Sequence, residues 1–100
     1  MLMAVKTYQP NDVITFKLTT GEEVVSRLSE ETDSIYNLTK PMVIIPTPQG
    51  GLGLAPLAFS LDLQESVVLN KHAVAVHGRT EKDLASQYLQ KTTGLTLIKT

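Results

Sequence analysis

The sequence predicts an all-β domain with a small helical contribution: a strongly bent, five-stranded barrel followed by a C-terminal helix. Five β-rich runs are separated by short clusters of turn residues, whereas a two-sheet sandwich needs about seven strands. After residue 80 the hydrophobic period changes from that of a strand to that of a helix. The length of 100 residues allows one domain, with the barrel over about 13–77, the helix over about 81–92 and a tail over 93–100.

The first two strands are predicted to form a hairpin. After a turn at residues 10–12, residues 13–19 alternate and place Ile14, Phe16 and Leu18 on one face. Gly21 supplies the positive φ of a tight turn. Residues 23–29 then resume as a strand, in which Val24, Ser26 and Leu28 share one face and Val25, Arg27 and Ser29 the other.

The bend is predicted in the third strand. Residues 30–33 form a polar turn, and residues 35–45 form a long β-rich run. Pro41 lies inside this run and cannot donate a ladder hydrogen bond, so the strand is bent or bulged there. Bends of this kind allow a small sheet to curl back on itself.

The fourth and fifth strands are predicted after a loop over residues 46–53, which is rich in proline and glycine. In the fourth, over residues 57–61, Leu57, Phe59 and Leu61 share one face. Residues 62–65 form a turn, and residues 67–76 form the last β segment, which is interrupted by Asn70, Lys71 and His72.

A helix of about three turns is predicted near the end of the chain. Thr80 is the expected N-cap, with the acidic Asp83 as part of a shortened capping box, and Gly94 is available as a C-cap. Leu84, Tyr88 and Leu89 form an apolar stripe, which we expect to pack on the barrel, although a stripe of this kind also suits a partner protein. The apolar tail after the helix is free to pack on the domain or on a neighbour.

Composition excludes several classes of protein. The absence of cysteine excludes disulfides, thiolate catalysis and sulfur-ligated metals. Nine basic and ten acidic residues give a net charge of −1, whereas a dedicated duplex-DNA binder carries a basic stripe. The sequence contains no run of about 20 apolar residues and no secretory leader, so we expect no membrane association and a cytoplasmic location.

Residues 33–38 resemble the first motif of the Sm-like (LSm) proteins. In that family, two strands joined by a glycine turn precede a short motif: an Asp, two variable residues, a Met-like position, an Asn and an apolar residue. In this sequence Asp33, Asn37 and Leu38 stand at that spacing. Residues 67–76 resemble the second motif, two short apolar strands around a polar turn. The loop after the third strand, the late Leu-Asn-Lys and the C-terminal helix are similar to the Sm-like proteins of marine bacteriophages, for which the location would be the host cytoplasm.

The resemblance implies a ring of five to seven identical subunits, closed by pairing of the barrel's edge strands. Physics favours the same assembly, because an open barrel leaves two strand edges unpaired and a closed ring satisfies them. Single-stranded RNA or DNA would lie near the pore, where an aromatic residue stacks on a base, an Asn hydrogen-bonds it and a cation assists. The corresponding positions here are Tyr36, Asn37, Asn70, Lys71 and His72, with Lys40 as a weak addition.

Two departures from the family pattern bear on this site. Ile35 stands where the family places its stacking aromatic, so Tyr36 stacks only if a bulge resets the register of the strand. The Arg-Gly of the second motif is absent, which leaves Lys71 and His72 as the nearest cations. Each candidate also has an ordinary structural interpretation: a half-buried aromatic for Tyr36, a backbone-bonding amide for Asn37, and a polar turn for residues 70–72.

Two functions remain open from the sequence: a nucleic-acid-binding ring, and a structural or scaffolding oligomer that binds protein partners. We expect no enzymatic activity and no cofactor, because nucleotide-binding loops and nucleophilic triads are missing. A metal site is not expected either, because His72 and His77 project to opposite faces of an extended strand. The acidic residues around the first turns are expected to be solvated turn charges; they are Glu22, Glu23, Glu30, Glu31 and Asp33.

Overall fold

The computed structural model of the protein describes residues 8–58, 60–62 and 64–93. The elements within these residues are β1 (Val13–Leu18), β2 (Glu23–Glu31), β3 (Ile35–Pro46), β4 (Leu52–Pro56), β5 (Val67–Asn70), a 3-10 turn (Lys71–Ala73), β6 (Val74–Arg79) and α1 (Lys82–Thr92). The strands pair antiparallel in the order β4-β3-β2-β1-β6, and β5 pairs with β3 beside this path. The mostly-β class and the C-terminal helix are therefore confirmed, with six strands in place of five.

The predicted first hairpin is confirmed. The Gly21 N–H donates to the Leu18 carbonyl at 2.9 Å, and Gly21 has a φ of 108°, which favours glycine. β1 pairs with β2 from Val13↔Arg27 to Lys17↔Glu23. The alternation of β1 is also confirmed, because Ile14 and Phe16 are fully buried.

The sheet buries apolar side chains on both faces. One face carries the larger cluster, formed by Tyr8, Ile14, Phe16, Val24, Leu28, Tyr36 and Leu38. The other face is covered by α1, where Tyr88 packs with Val25 and Met42. Neighbouring residues of β2 thus enter opposite clusters, as the period of two requires.

β3 is irregular at the position where a bend was predicted. Val25 pairs with Met42 and Arg27 pairs with Thr39, so β3 carries one residue more than β2 between the two pairs. Lys40 lies in this bulge with a φ of 54°, directly before Pro41. The irregularity follows from the missing N–H of the proline.

The predicted turn at residues 30–33 is wrong in its first half, because β2 continues through Glu31. Ser29 is an extra residue on β2 between the pairs Leu28↔Leu38 and Glu30↔Asn37. This bulge shifts the alternation by one position, and Glu31, which pairs with Tyr36, is buried. Glu31 is therefore not the solvated turn charge that the sequence indicated.

The predicted strand at residues 57–61 is wrong. The fourth strand is β4, Leu52–Pro56, which begins in the segment predicted as a loop and pairs with the second half of β3. The turn between them is tight: the Thr47 N–H donates to the Gly51 carbonyl at 2.9 Å. Pairing with the apolar end of β3 outweighs the low strand propensity of glycine and proline here. Phe59 lies outside the described residues.

The last β segment is interrupted where predicted. The 3-10 turn Lys71–Ala73 separates β5, which pairs with β3, from β6, which pairs with β1. β6 extends to Arg79, three residues beyond the predicted end. One short turn therefore connects a strand on β3 to a strand on β1.

The predicted helix is confirmed, with a different N-cap. The Glu81 side chain accepts hydrogen bonds from the backbone N–H groups of Asp83 and Leu84, at 3.0 and 3.1 Å. These bonds lower the pKa of Glu81. Thr80 does not cap the helix, because its hydroxyl lies 2.8 Å from that of Thr15. Gly94 and the tail lie outside the described residues.

The described residues contain no helix that is both long and apolar enough to cross a membrane.

Candidate nucleic-acid interface

Pairing of β3 with β5 brings two predicted site residues to one side of the sheet. Ile35 pairs with Asn70, and Asn37 pairs with Val68. Because Tyr36 and Leu38 point into the core, these pairs face away from it. Asn70 is exposed, whereas Asn37 is half-buried and its Nδ2 donates to Glu30 Oε1 at 3.3 Å.

Lys71 begins the 3-10 turn and is held by two partners. Its Nζ lies 2.8 Å from Glu31 Oε2 and 4.9 Å from the centroid of the Tyr36 ring. The Lys71 side chain retains 28% of its exposure, and that of Glu31 retains 7%. The charge of Lys71 is therefore largely compensated within the chain.

Tyr36 is a core residue. It is 3% exposed, and its ring centroid lies 4.8 Å from that of Phe16 and 5.9 Å from that of His77. The bulge that would have turned Tyr36 outward is on β2, at Ser29, so β3 keeps its alternation here. In this conformation the ring exposes too little surface for a base to stack on it.

Lys40 and His72 occupy separate places. Lys40 Nζ donates to the Thr92 carbonyl at 2.9 Å, at the C-terminal end of α1, where a cation is favourable. Along β3, Lys40 lies three positions from Asn37, a distance of about 10 Å. His72 is exposed in the 3-10 turn, next to Lys71. The structure thus groups Asn37, Asn70, Lys71 and His72 around β5 and leaves Lys40 with the helix.

Tyr8 covers one end of the larger core cluster and was missed by the sequence reasoning. Its hydroxyl lies 2.6 Å from His77 Nδ1, and the Arg79 guanidinium lies 5.4 Å from the ring centroid. Arg79 also bridges to Asp12 at 3.3 Å. A lone tyrosine before a turn has no periodic pattern, so the sequence offered no signal for this role.

Burial changes the acidity of both tyrosines at this end of the sheet. Loss of solvent raises the pKa of Tyr8, and the neighbouring Tyr36 raises it further. Loss of solvent also raises the pKa of Tyr36, and the negative charge of Glu31 adds to the effect. Both hydroxyls therefore remain protonated at neutral pH.

A cleft of about 390 Å³ lies between the Tyr8 segment and the β2–β3 pair, and we call it the β2 cleft. It is lined by Tyr8, Pro10, Leu28, Ser29, Glu30, Glu31, Asn37 and Ser66. Of these, the sequence reasoning had selected only Asn37 as a site residue. The bulge at Ser29, which the sequence does not indicate, forms one wall of the cleft.

Among the described strands, β4, β5 and β6 each pair on one side only, and each carries an exposed apolar side chain; β4 and β6 are the two ends of the strand order, and β5 lies beside it. On β4, Leu52 is 59% exposed, and on β6, Val76 is 63% exposed. Within the described part of the chain, β4 pairs only with β3, and β6 pairs only with β1. Both outer edges therefore present unpaired backbone groups.

Within the described ranges, no three His, Asp or Glu side chains come together as a group that could hold a metal ion.

No protein-family model matches the chain, and no curated protein matches it significantly.

Proposed function

We propose that the protein is an Sm-like subunit that assembles into a ring of five to seven copies and binds single-stranded RNA or DNA. The strand pairings support the barrel part of this proposal. β1 pairs with β2, β2 with β3, β3 with β5, and β6 with β1, while only the 3-10 turn separates β5 from β6. A strongly bent sheet whose strands pair in this order would form a small barrel.

The observation that carries the proposal is the pair of open edges at β4 and β6. β4 of one copy and β6 of the next would complete each other's hydrogen-bond ladders and bury Leu52 and Val76. Because the two edges differ, the contact is head-to-tail, and repetition of such a contact closes a ring when the rotation from one copy to the next divides a full turn.

The candidate ligand surface is the group Asn37, Asn70, Lys71 and His72. Each copy offers two amides, one compensated lysine and an exposed histidine, which is a weak set for a polyanion. Repetition around a ring raises the apparent affinity through effective concentration. The proposal includes no catalytic step and no cofactor.

A titration of fluorescent oligo(U), oligo(A) and single-stranded DNA at two salt concentrations tests this function. We expect binding that weakens with salt and that is lost in Lys71→Glu. Lys82→Glu is the matched control, because Lys82 is an exposed lysine at the start of α1 and should change binding little. Light scattering on the same samples gives the number of subunits. If no probe binds above the non-specific level at low salt, the nucleic-acid part of the proposal is wrong.

The second candidate is a structural oligomer that binds protein partners, and the charge pairing favours it. Among the residues that the structure describes, three cations are bridged to acids of the same chain, in the pairs Lys17–Glu23, Lys71–Glu31 and Arg79–Asp12. A surface prepared for phosphate leaves such cations free. A ring by light scattering, with no oligonucleotide bound in low salt, would support this candidate.

A further inference from the structure

The β2 cleft contains a buried carboxylate oxygen without a donor. The Glu31 side chain is 7% exposed, and its Oε2 is engaged by Lys71 at 2.8 Å. Its Oε1 is buried, and no donor among the described residues lies within hydrogen-bonding distance of it. An unpaired buried carboxylate oxygen is costly, so a donor from a ligand would stabilise this site.

The other polar groups of the cleft also leave acceptors available. The Asn37 amide nitrogen donates to Glu30 Oε1 at 3.3 Å, and the Ser29 hydroxyl donates to the Asn37 carbonyl at 3.0 Å. One of the two N–H groups of the Asn37 amide and the Ser29 hydroxyl are thus used within the chain, whereas the carboxylates of Glu30 and Glu31 can only accept. The two carboxylates of the cleft therefore favour a ligand with N–H donors.

The exposed side chain of Pro10 gives the cleft an apolar wall beside the polar groups. Tyr8 also lines the cleft but is only 6% exposed, so its ring closes the cleft and offers little surface for stacking. A volume of about 390 Å³ lies within the range of small-ligand sites. Two cations lie beside residues of the cleft, each paired with an acid of the chain: Lys71 Nζ is 2.8 Å from Glu31 Oε2, and the Arg79 guanidinium, bridged to Asp12, is 5.4 Å from the centroid of the Tyr8 ring.

We propose that the β2 cleft receives a guanine base, with its N1–H and 2-amino group donating to the carboxylates of Glu31 and Glu30. Guanine presents two adjacent N–H donors on its Watson–Crick edge, where uracil presents one and adenine and cytosine present a single amino group beside an acceptor. Hydrogen bonds to an ionised carboxylate are stronger than those between neutral groups, so each of the two donors would make a strong contact. This inference rests on the proposed binding of a single strand, and it specifies which base the strand must contain.

The test compares three short fluorescent oligo(U) probes in titrations with the full chain: one unmodified, one with a single central guanine, and one with inosine at that position. We expect the guanine probe to bind about tenfold more tightly than the unmodified one, the effect of one well-placed base contact. Inosine lacks the 2-amino group, so the affinity of the inosine probe should lie between those of the other two probes. Equal affinity for all three probes overturns the inference.

Variants assign the preference to the carboxylates. Glu31→Gln should remove the guanine preference, but it also breaks the ion pair with Lys71. Glu30→Gln is therefore the second variant, because Glu30 is exposed and its substitution should disturb the fold less. Glu22→Gln, in the β1–β2 turn, is the control and should keep the preference. Loss of preference in either folded variant supports the site, and its retention in both overturns it.

The two proposals fail in different ways. If none of the probes binds above the non-specific level, the proposed nucleic-acid function fails and the guanine site fails with it. If oligo(U) binds and a central guanine adds nothing, only the guanine site fails.

Discussion

Glu31, Lys71 and Tyr36 form a small network in which an ion pair lies against an aromatic ring. The Glu31 carboxylate anchors the Lys71 ammonium at 2.8 Å, and the ammonium lies over the face of the Tyr36 ring, where a cation is attracted. Removing one member of a buried ion pair leaves the other charge uncompensated, at a cost of about 3–5 kcal/mol. The network thus keeps a lysine at the β5–β6 turn while leaving one oxygen of Glu31 free.

The raised pKa values of Tyr8 and Tyr36 predict a loss of stability at alkaline pH. In the unfolded chain both tyrosines titrate near their ordinary value of 10.0, whereas the folded chain holds their protons to higher pH. Above about pH 10 the unfolded state therefore binds fewer protons than the folded state, and the free energy of unfolding falls as pH rises towards the folded pKa values. The contribution is fully present below pH 10.

Urea unfolding between pH 8 and pH 11.5, followed by far-UV circular dichroism, measures this loss. The double variant Tyr8→Phe with Tyr36→Phe should show a flatter decline, since neither ring then titrates. An equally steep decline in that variant would mean that other groups cause it.

At the scale of elements, α1 stabilises the irregular part of the sheet. The bulge in β3 interrupts the β2–β3 ladder beside the Arg27 N–H and the carbonyls of Thr39 and Lys40. The Tyr88 hydroxyl accepts from the Arg27 N–H at 3.0 Å and lies 2.7 and 2.8 Å from the two carbonyls, to which it offers its one proton. The Ser26 hydroxyl also donates to the Thr39 carbonyl, at 2.9 Å, so the helix supplies the acceptor for the Arg27 N–H and shares the Thr39 carbonyl with β2.

Tyr88→Phe should lower the free energy of unfolding by about 1–3 kcal/mol, because it leaves a buried N–H without an acceptor. Chemical denaturation gives the value. Tyr36→Phe removes a phenol hydroxyl from the other core and is the control, with a smaller expected effect at neutral pH. Equal loss in the two variants would contradict the assigned role of the Tyr88 hydroxyl.

Elements set by local chemistry were predictable, and elements set by pairing were not. The hairpin at Gly21, the bend before Pro41 and the helix follow from positive φ, a missing N–H and a 3.6-residue period. β4 was misplaced because Leu52–Pro56 owes its strand conformation to β3 and not to its own composition.

The candidate site was predictable only in part, for the same reason. Asn37, Asn70, Lys71 and His72 lie around one pair of strands, and the Sm-like spacing had selected all four. The burial of Glu31 depends on a bulge in the neighbouring strand, and the role of Tyr8 depends on contacts nearly seventy residues away in β6. Neither leaves a pattern in the local sequence.

At the scale of the whole molecule, the two open edges predict that assembly depends on β6 and not on exposed apolar surface in general. Val76 and Val68 are both exposed valines, at 63% and 56%, on strands that each have one partner, but the proposed contact uses the free edge of β6, where Val76 lies, and not that of β5, where Val68 lies. A lysine at position 76 would place a charge against the neighbouring copy. Charged side chains of this kind protect the edge strands of natural proteins from pairing with another chain.

Light scattering on Val76→Lys and Val68→Lys separates the two cases. We expect Val76→Lys to reduce the mass to that of one subunit, 10.9 kDa, while Val68→Lys keeps the mass of the parent protein. If Val68→Lys dissociates the assembly and Val76→Lys does not, the contact uses the outer face of β3 and β5 instead, and a ring closed through β4 and β6 is wrong. A monomeric parent protein would exclude the ring directly. In that case Asn37, Asn70, Lys71 and His72 would lose the multivalency that the proposed binding of a single strand requires.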